Sequence, residues 1–196
     1  MIVLGIDPGT AAMGYGLVEE TAGRLRLIEF GCITTSPRRS LPERLETIHR
    51  QLSDIIERHS PDVMGVERLF FSRNAQTAFA VGQARGVVLL AAAQHRLAVR
   101  EGTPNEVKLA IAGDGAADKV AVQRMVQLVL SMAEPPTPDD AADALAVAIW
   151  ALNQAPAEAA TASLYDRAAV APMASGPTPY ERAVREAVAR ERRVGP

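Results

Sequence analysis

Ile2-Val3-Leu4-Gly5-Ile6-Asp7-Pro8-Gly9-Thr10 is the stretch that decides how the rest of this chain is read. A nearly continuous apolar run describes a strand buried on both faces, as in the centre of a sheet. The run ends on a carboxylate, and Pro8-Gly9-Thr10 breaks it. Asp before Pro-Gly has an ordinary reading as turn chemistry. A second run ends the same way: Val63-Met64-Gly65-Val66 closes on Glu67. Pairing with Arg68 or another surface base is the ordinary reading there. Acidic side chains are almost never fully buried unless paired or bound to metal, so two apolar strands that each end on an acid ask for a cation.

Working outward, residues 13–19 and 24–34 read as strands, with Thr21-Ala22-Gly23 as the hairpin turn between them. Residues 41–59 carry Leu41, Leu45, Ile48, Leu52, Ile55 and Ile56 at helical spacing. Ser60-Pro61-Asp62 ends that helix ahead of the strand at 63–67. The loop Phe70-Phe71-Ser72 precedes a long helix over 73–95. Residues 97–100 form a short strand, 106–112 a brief helix, and 119–132 an amphipathic helix. Glu134-Pro135-Pro136-Thr137-Pro138 leads stiffly into a last apolar helix. Strands first, then strands alternating with helices, predict an α/β fold around a mixed sheet.

That last helix carries two more acids. Asp140 and Asp143 are three apart and share one helix face. Thr137 is the predicted N-cap, with Pro138 at the first helical position. Acids in a first turn are explained by the helix dipole, which accounts for Asp139 and Asp140. It does not account for Asp143, one turn further in among Ala142, Ala144, Leu145 and Ala146. A buried unpaired carboxylate is costly or becomes protonated, and metal binding is one way out. Taken together, Asp7, Glu67, Asp140 and Asp143 predict a site for two divalent ions. Mg²⁺ or Mn²⁺ suits all-carboxylate ligation without Cys or His, and a metal pair points to phosphoryl transfer.

The bulk composition is consistent with this. At 196 residues, one domain with an appendage is expected. The single cysteine, Cys32, excludes an internal disulfide framework and fits a reducing, cytoplasmic setting. No charged-then-apolar leader precedes the first strand and no apolar run reaches about 18 residues, so no membrane span is expected. A net charge of −2 argues only weakly against a nucleic-acid partner, since four site acids would be offset by metal. Composition shifts after Asn153. Residues 154–196 are expected to form an Ala/Pro-rich flexible tail, in which 180–193 can form a solvated helix of mixed charge. Residues 1–153 are then the catalytic domain.

Beyond these readings, Gly5-Ile6-Asp7-Pro8-Gly9-Thr10 with Gly14-Tyr15-Gly16 resembles the opening of the bacterial RuvC Holliday junction resolvases. So do Glu67-Arg68-Leu69-Phe70-Phe71 with Asn74, Gly82-Gln83-Ala84-Arg85-Gly86, and Asp140-Ala141-Ala142-Asp143-Ala144-Leu145-Ala146. Order and spacing match over about residues 1–153; the tail is not covered. The resemblance implies an RNase H-like fold with a five-stranded mixed sheet flanked by helices, a homodimer, and a structure-selective endonuclease. That enzyme would resolve four-way DNA junctions in recombination and repair by paired symmetric nicks, leaving 5′-phosphates. It maps the family's metal-binding acids onto Asp7, Glu67, Asp140 and Asp143. Some relatives carry His at the third of these positions, where this chain has Asp.

The resemblance also places Lys108 and Lys119 near the scissile phosphate. They are the only two lysines in the chain, and an ammonium on a flexible stem suits a mobile phosphate. Each has an ordinary reading, as a solvated helix residue or at a helix start. Phe70 is implied to stack on an unpaired base, with Phe71 in the core and Arg73 and Asn74 on the DNA backbone. Ala75, Ala78, Gly82 and Gly86 line one side of the long helix, where packing on the sheet or a dimer seam both fit. A branch-migration motor is an implied partner. Three alternatives remain at this level. The first is an actin-like phosphate-binding domain, through Asp7-Pro8-Gly9-Thr10. The second is another RNase H-like nuclease acting on hybrids or flaps, and the third is a junction binder without activity.

Overall fold

A computed structural model describes residues 1–68, 75–154 and 178–194. Five strands form one mixed sheet: β1 (Ile2–Asp7), β2 (Ala12–Thr21), β3 (Arg24–Thr34), β4 (Val63–Glu67) and β5 (Ala98–Gly102). Their order is β3-β2-β1-β4-β5. β1 and β2 pair antiparallel, as do β2 and β3, whereas β1, β4 and β5 run parallel. The strand predicted to be central is therefore central, and the five-stranded mixed sheet stands as expected.

Six helices are described: α1 (Leu41–His59), α2 (Ala75–Gln94), α3 (Pro104–Ala112), α4 (Lys119–Val129), α5 (Asp139–Leu152) and α6 (Pro179–Val194). Several ends differ from the sequence reading for local reasons. α3 starts at Pro104, because Thr103 accepts from the Glu106 amide and the Glu106 carboxylate accepts from the Thr103 amide. This reciprocal arrangement adds a turn ahead of the apolar pattern. β5 runs on to Gly102, since its pairing with β4 continues to Glu67. At the start of α5 the N-cap is Pro138, not Thr137, and no side chain caps the helix.

Side-chain alternation gives the sheet two different faces. Leu4, Ile6, Leu17, Met64 and Val66 point toward α1 and α2, where Ile48, Leu52, Ile55, Val88 and Ala91 complete a core. Val3, Val18 and Val63 point the other way, into a core built with α3, α4 and α5. On that second face, Gly5, Gly16 and Gly65 lie side by side across three strands. α5 rests on them. A Cβ on Gly5 would collide with the Ala144 carbonyl oxygen and the Ala148 amide nitrogen of α5. One on Gly14 would collide with the carbonyl of Asp140. Backbone thus meets backbone, and α5 is almost wholly buried from Ala141 to Leu152.

α6 is a correction to the expected solvated helix. Ala183 is buried in the core shared with α4 and α5, and Ala187 is buried as well, while Glu181, Arg182, Arg185, Glu186 and Arg190 stay exposed. The Tyr180 hydroxyl donates to the Ile111 carbonyl, and its amide donates to Asn153 Oδ1 at 3.2 Å. Alanines four apart give close helix contact with very little apolar signal, so the docking face is faint in a sequence rich in Arg and Glu.

Candidate active site

Strand parity decides where the acids go. Val3, Gly5 and Asp7 lie on the α5 face of β1, and Val63, Gly65 and Glu67 on the same face of β4. Both strands run parallel with Ile6 beside Val66, so Asp7 and Glu67 leave the sheet at the same edge. The glycine row draws the first turns of α5 down to that edge, and Gly14, beside Asp7 on β2, admits the backbone of Asp140. Asp140 and Asp143 therefore arrive from above. α3 and α4 add Lys108 and Lys119. A cleft of about 230 Å³ is lined by Glu67, Lys108, Lys119 and Asp143, with Pro104, Val107, Val122, Ala146 and Val147 as apolar walls.

The carboxylates disturb one another. Burial pushes the Asp7 carboxyl up to about 7, and repulsion from Glu67, Asp143 and Asp140 adds to it, against a smaller pull from Lys119. Burial also raises Glu67, helped by Asp143, while Lys108 and Lys119 draw it back. Asp143 is raised by burial despite a hydrogen bond from Lys119. Desolvation pulls Lys119 down, but its bonds to Asp143 and Asp139 outweigh that and leave it raised. Several acids held above their ordinary range in one place mark a concentration of negative charge that this protein's own cations do not neutralise.

Lys119 is the nearest thing to a counter-ion. Its Nζ lies 3.1 Å from Asp143 and 3.3 Å from Asp139. Asp143, expected from the sequence to lack a partner, therefore has one and is half-buried rather than enclosed. In the sequence Asp139 is explained as a first-turn acid. It proves to be a partner of Lys119 and accepts from Gln123 Nε2 at 3.0 Å. Neither contact has a sequence signal, because α4 and α5 meet only in the fold. Lys119 is the first residue of α4, and the cap is Asp118, which accepts from the Ala121 amide at 2.7 Å.

Among the described residues, no group of three or more His, Cys, Asp or Glu side chains is arranged to hold a metal ion as it stands. The donor set nevertheless fits a hard divalent cation: it is all oxygen, it comes from three separate elements, and burial, with mutual repulsion added, raises the proton affinity of Asp7, Glu67 and Asp143. Of the residues singled out from sequence, Asp7, Glu67, Asp140, Asp143, Lys108 and Lys119 are brought together. Phe70, Phe71, Arg73 and Asn74 lie outside the described residues.

Comparison with known proteins agrees with the resemblance noted in the sequence. The family described as crossover junction endodeoxyribonuclease RuvC matches residues 3–151. The crossover junction endodeoxyribonuclease RuvC of Moorella thermoacetica is 55% identical over 156 residues, 80% of this chain and 93% of that protein. The structure of Thermus thermophilus RuvC in complex with a Holliday junction substrate superposes with a TM-score of 0.73 at 39% identity, covering 76% of this chain and 92% of that one. The yeast mitochondrial Holliday junction resolvase shares the fold at 15% identity, with a TM-score of 0.54 over 76% of this chain and 77% of that one. A glycine-floored sheet edge carrying four acids, found within a match that spans nearly all of the described sheet and α1 to α5, places this chain in the RuvC family of crossover junction endodeoxyribonucleases.

Proposed function

We propose that this chain resolves four-way DNA junctions by paired symmetric nicks, with Asp7, Glu67, Asp140 and Asp143 holding two divalent ions, Mg²⁺ or Mn²⁺. The observation that carries the reading is that Glu67 and Asp143 share one cleft with the chain's only two lysines, with Asp7 near enough to be raised by both acids. When bound, such ions polarise a phosphodiester and lower the pKa of water. The protein's part is to position and to neutralise. Asp7, at the centre of the sheet edge between Glu67 and α5, would help to hold the ions. Glu67 approaches from β4, and Asp140 and Asp143 from the first turns of α5.

Lys119 serves charge that develops on the phosphate. Its ammonium is half exposed and, among the described residues, is held by Asp139 and Asp143; from there it would reach a phosphate oxygen as negative charge develops on it. Lys108, on the Glu67 side of the cleft, positions the strand. Phe70 stacks on an unpaired base near the junction centre, and Arg73 and Asn74 contact the backbone. Residues 1–153 form the nuclease unit, which works as a homodimer, since a two-fold enzyme suits a two-fold substrate. The outer side of α2 supports this: Phe79 is 69% and Leu90 51% exposed, and Gly86 on the same side faces open space. A branch-migration motor would be its partner in the cytoplasm. No helix among the described residues is long and apolar enough to cross a membrane.

The test offers the purified protein four-way junctions, flaps, RNA–DNA hybrids and linear duplex with Mg²⁺ or Mn²⁺, with products mapped to the nucleotide. Paired cuts at symmetric positions in junctions alone are expected. Equal cutting of hybrids or flaps would overturn the junction reading, and cleavage that survives Asp7→Asn would overturn the metal site.

A further inference from the structure

The turn that follows Asp7 is tied to a cation outside the carboxylate cleft. Thr35, just past the end of β3, donates from its amide to the Ala11 carbonyl at 3.0 Å and from its hydroxyl to the Thr10 carbonyl at 2.5 Å. The same hydroxyl accepts from Arg44 Nε at 2.8 Å. Arg44 lies in the first turns of α1 and is half-buried. That bond engages the neck of its guanidinium. Among the described residues, no carboxylate or carbonyl accepts from its two Nη groups. The nearest acid in sequence, Glu43, is committed to capping α1 through the Ser40 amide and hydroxyl, at 2.8 and 2.6 Å. Arg38 and Arg39, exposed in the loop before α1, add two more positive charges.

A half-buried guanidinium held at one nitrogen, with its fork unmet by any described residue, has the geometry of a bidentate anion receptor. Its place is also informative. Thr10 is three residues from Asp7, so their Cα atoms are at most about 11 Å apart. Successive phosphates of one strand advance by about 3.4 Å along the duplex axis. We infer that Arg44, aimed by Thr35 and supported by Arg38 and Arg39, grips a backbone phosphate of the cleaved strand about one to three nucleotides from the cut. This rests on the nuclease reading above. It adds a second point of contact, on the β1–β2 turn side of the acids and opposite the lysines of α3 and α4. Two contacts on either side of the scissile bond would fix the register of the strand.

The experiment measures binding of a fluorescent junction by anisotropy across a salt series. The full chain is used, with chelator present so that nothing is cut. Arg44→Gln is expected to weaken binding about tenfold, and to reduce the slope of log K against log salt by about 0.9 for each Arg44 engaged. Arg44→Lys, which keeps the charge, is expected to restore the slope. A neutral methylphosphonate placed one to three nucleotides from the cut should weaken the wild type and leave Arg44→Gln unchanged. Wild-type affinity and slope in Arg44→Gln would overturn the inference. So would equal losses in Arg44→Gln and Arg44→Lys, which would make the Thr35 tie structural and nothing more. The comparison can be read on any DNA the protein binds. Failure of the wild type to prefer junctions over duplex would therefore count against the resolvase reading and not against this one.

Discussion

The two faces of the sheet solve the same packing problem in opposite ways. Toward α1 and α2, large side chains fill the gap: Leu4, Ile6, Leu17 and Met64 meet Ile48, Leu52 and Val88. Toward α5, the side chains are removed: Gly5 and Gly14 bring strand backbone against helix backbone, while Gly16 and Gly65 leave room for Leu145, Val147 and Ala151 of the helix. The first arrangement tolerates small shifts, because side chains can repack. The second does not, because backbone cannot yield without moving the whole helix. The acids are attached to the unyielding face. Stability is thus shared between both faces, whereas the geometry of the site depends on one.

Removing the charge at the centre of the site should produce the largest effect. Asp7→Asn is expected to lower junction cleavage by about a thousandfold or more, with binding retained. The same change should stabilise the metal-free protein. Asp7 titrates near 7 in the fold, above its ordinary value, so folding takes up a proton between the two. Stability with chelator present should therefore fall as pH rises from about 5 to 8. Glu67 and Asp143, also raised, act with the same sign. Melting curves at pH 6 and pH 8 check this: wild type should melt lower at pH 8, added Mg²⁺ should narrow the gap, and Asp7→Asn should reduce it, leaving the part due to Glu67 and Asp143. A wild type that gains stability over that range would show that the acids do not strain the metal-free fold.

Next come paired substitutions that set the faces against each other. Gly5→Ala drives a methyl into α5, and Leu4→Ala leaves a cavity on the other face. Each should cost about 3 kcal/mol of stability. At temperatures where both remain folded, only Gly5→Ala should lose nicking rate, since only it displaces Asp140 and Asp143. Equal rates in the two variants would sink the idea that the glycine face alone sets the site. Lys119→Ala should slow cleavage about a hundredfold, and with the Asp143 pair removed it should also lower the melting temperature of the chelated protein. Metal-dependent stabilisation should remain. The smallest expected effect is at the far end of the α5 face. Tyr180→Phe leaves the Ile111 carbonyl without its donor and should cost about 1 kcal/mol in denaturant unfolding, with cleavage unchanged.

The strands, the helices and the candidate acids were legible because each left a periodic or chemical trace. The run ending on Asp7 announced a central strand, and the i, i+3 pair Asp140 and Asp143 announced one helix face. The pairing of Lys119 with Asp143 and Asp139 left no trace, since α4 and α5 are joined by chain that says nothing about their approach. The docking of α6 was hidden for a different reason. Two alanines contribute too little hydrophobicity to outweigh the arginines around them, yet their small size is what permits the contact.

From its sequence alone, this chain determined the mixed sheet, the parity that puts Asp7 and Glu67 on one face, and the ligand chemistry of an oxygen-only site. Those follow from local patterns, in which each residue's partner is the next strand or turn. Only the tertiary structure decided how close the acids come, which cation stands among them, and where Arg44 is held. Such distances depend on backbone approach across the glycine row and on helices that meet without being neighbours in the chain.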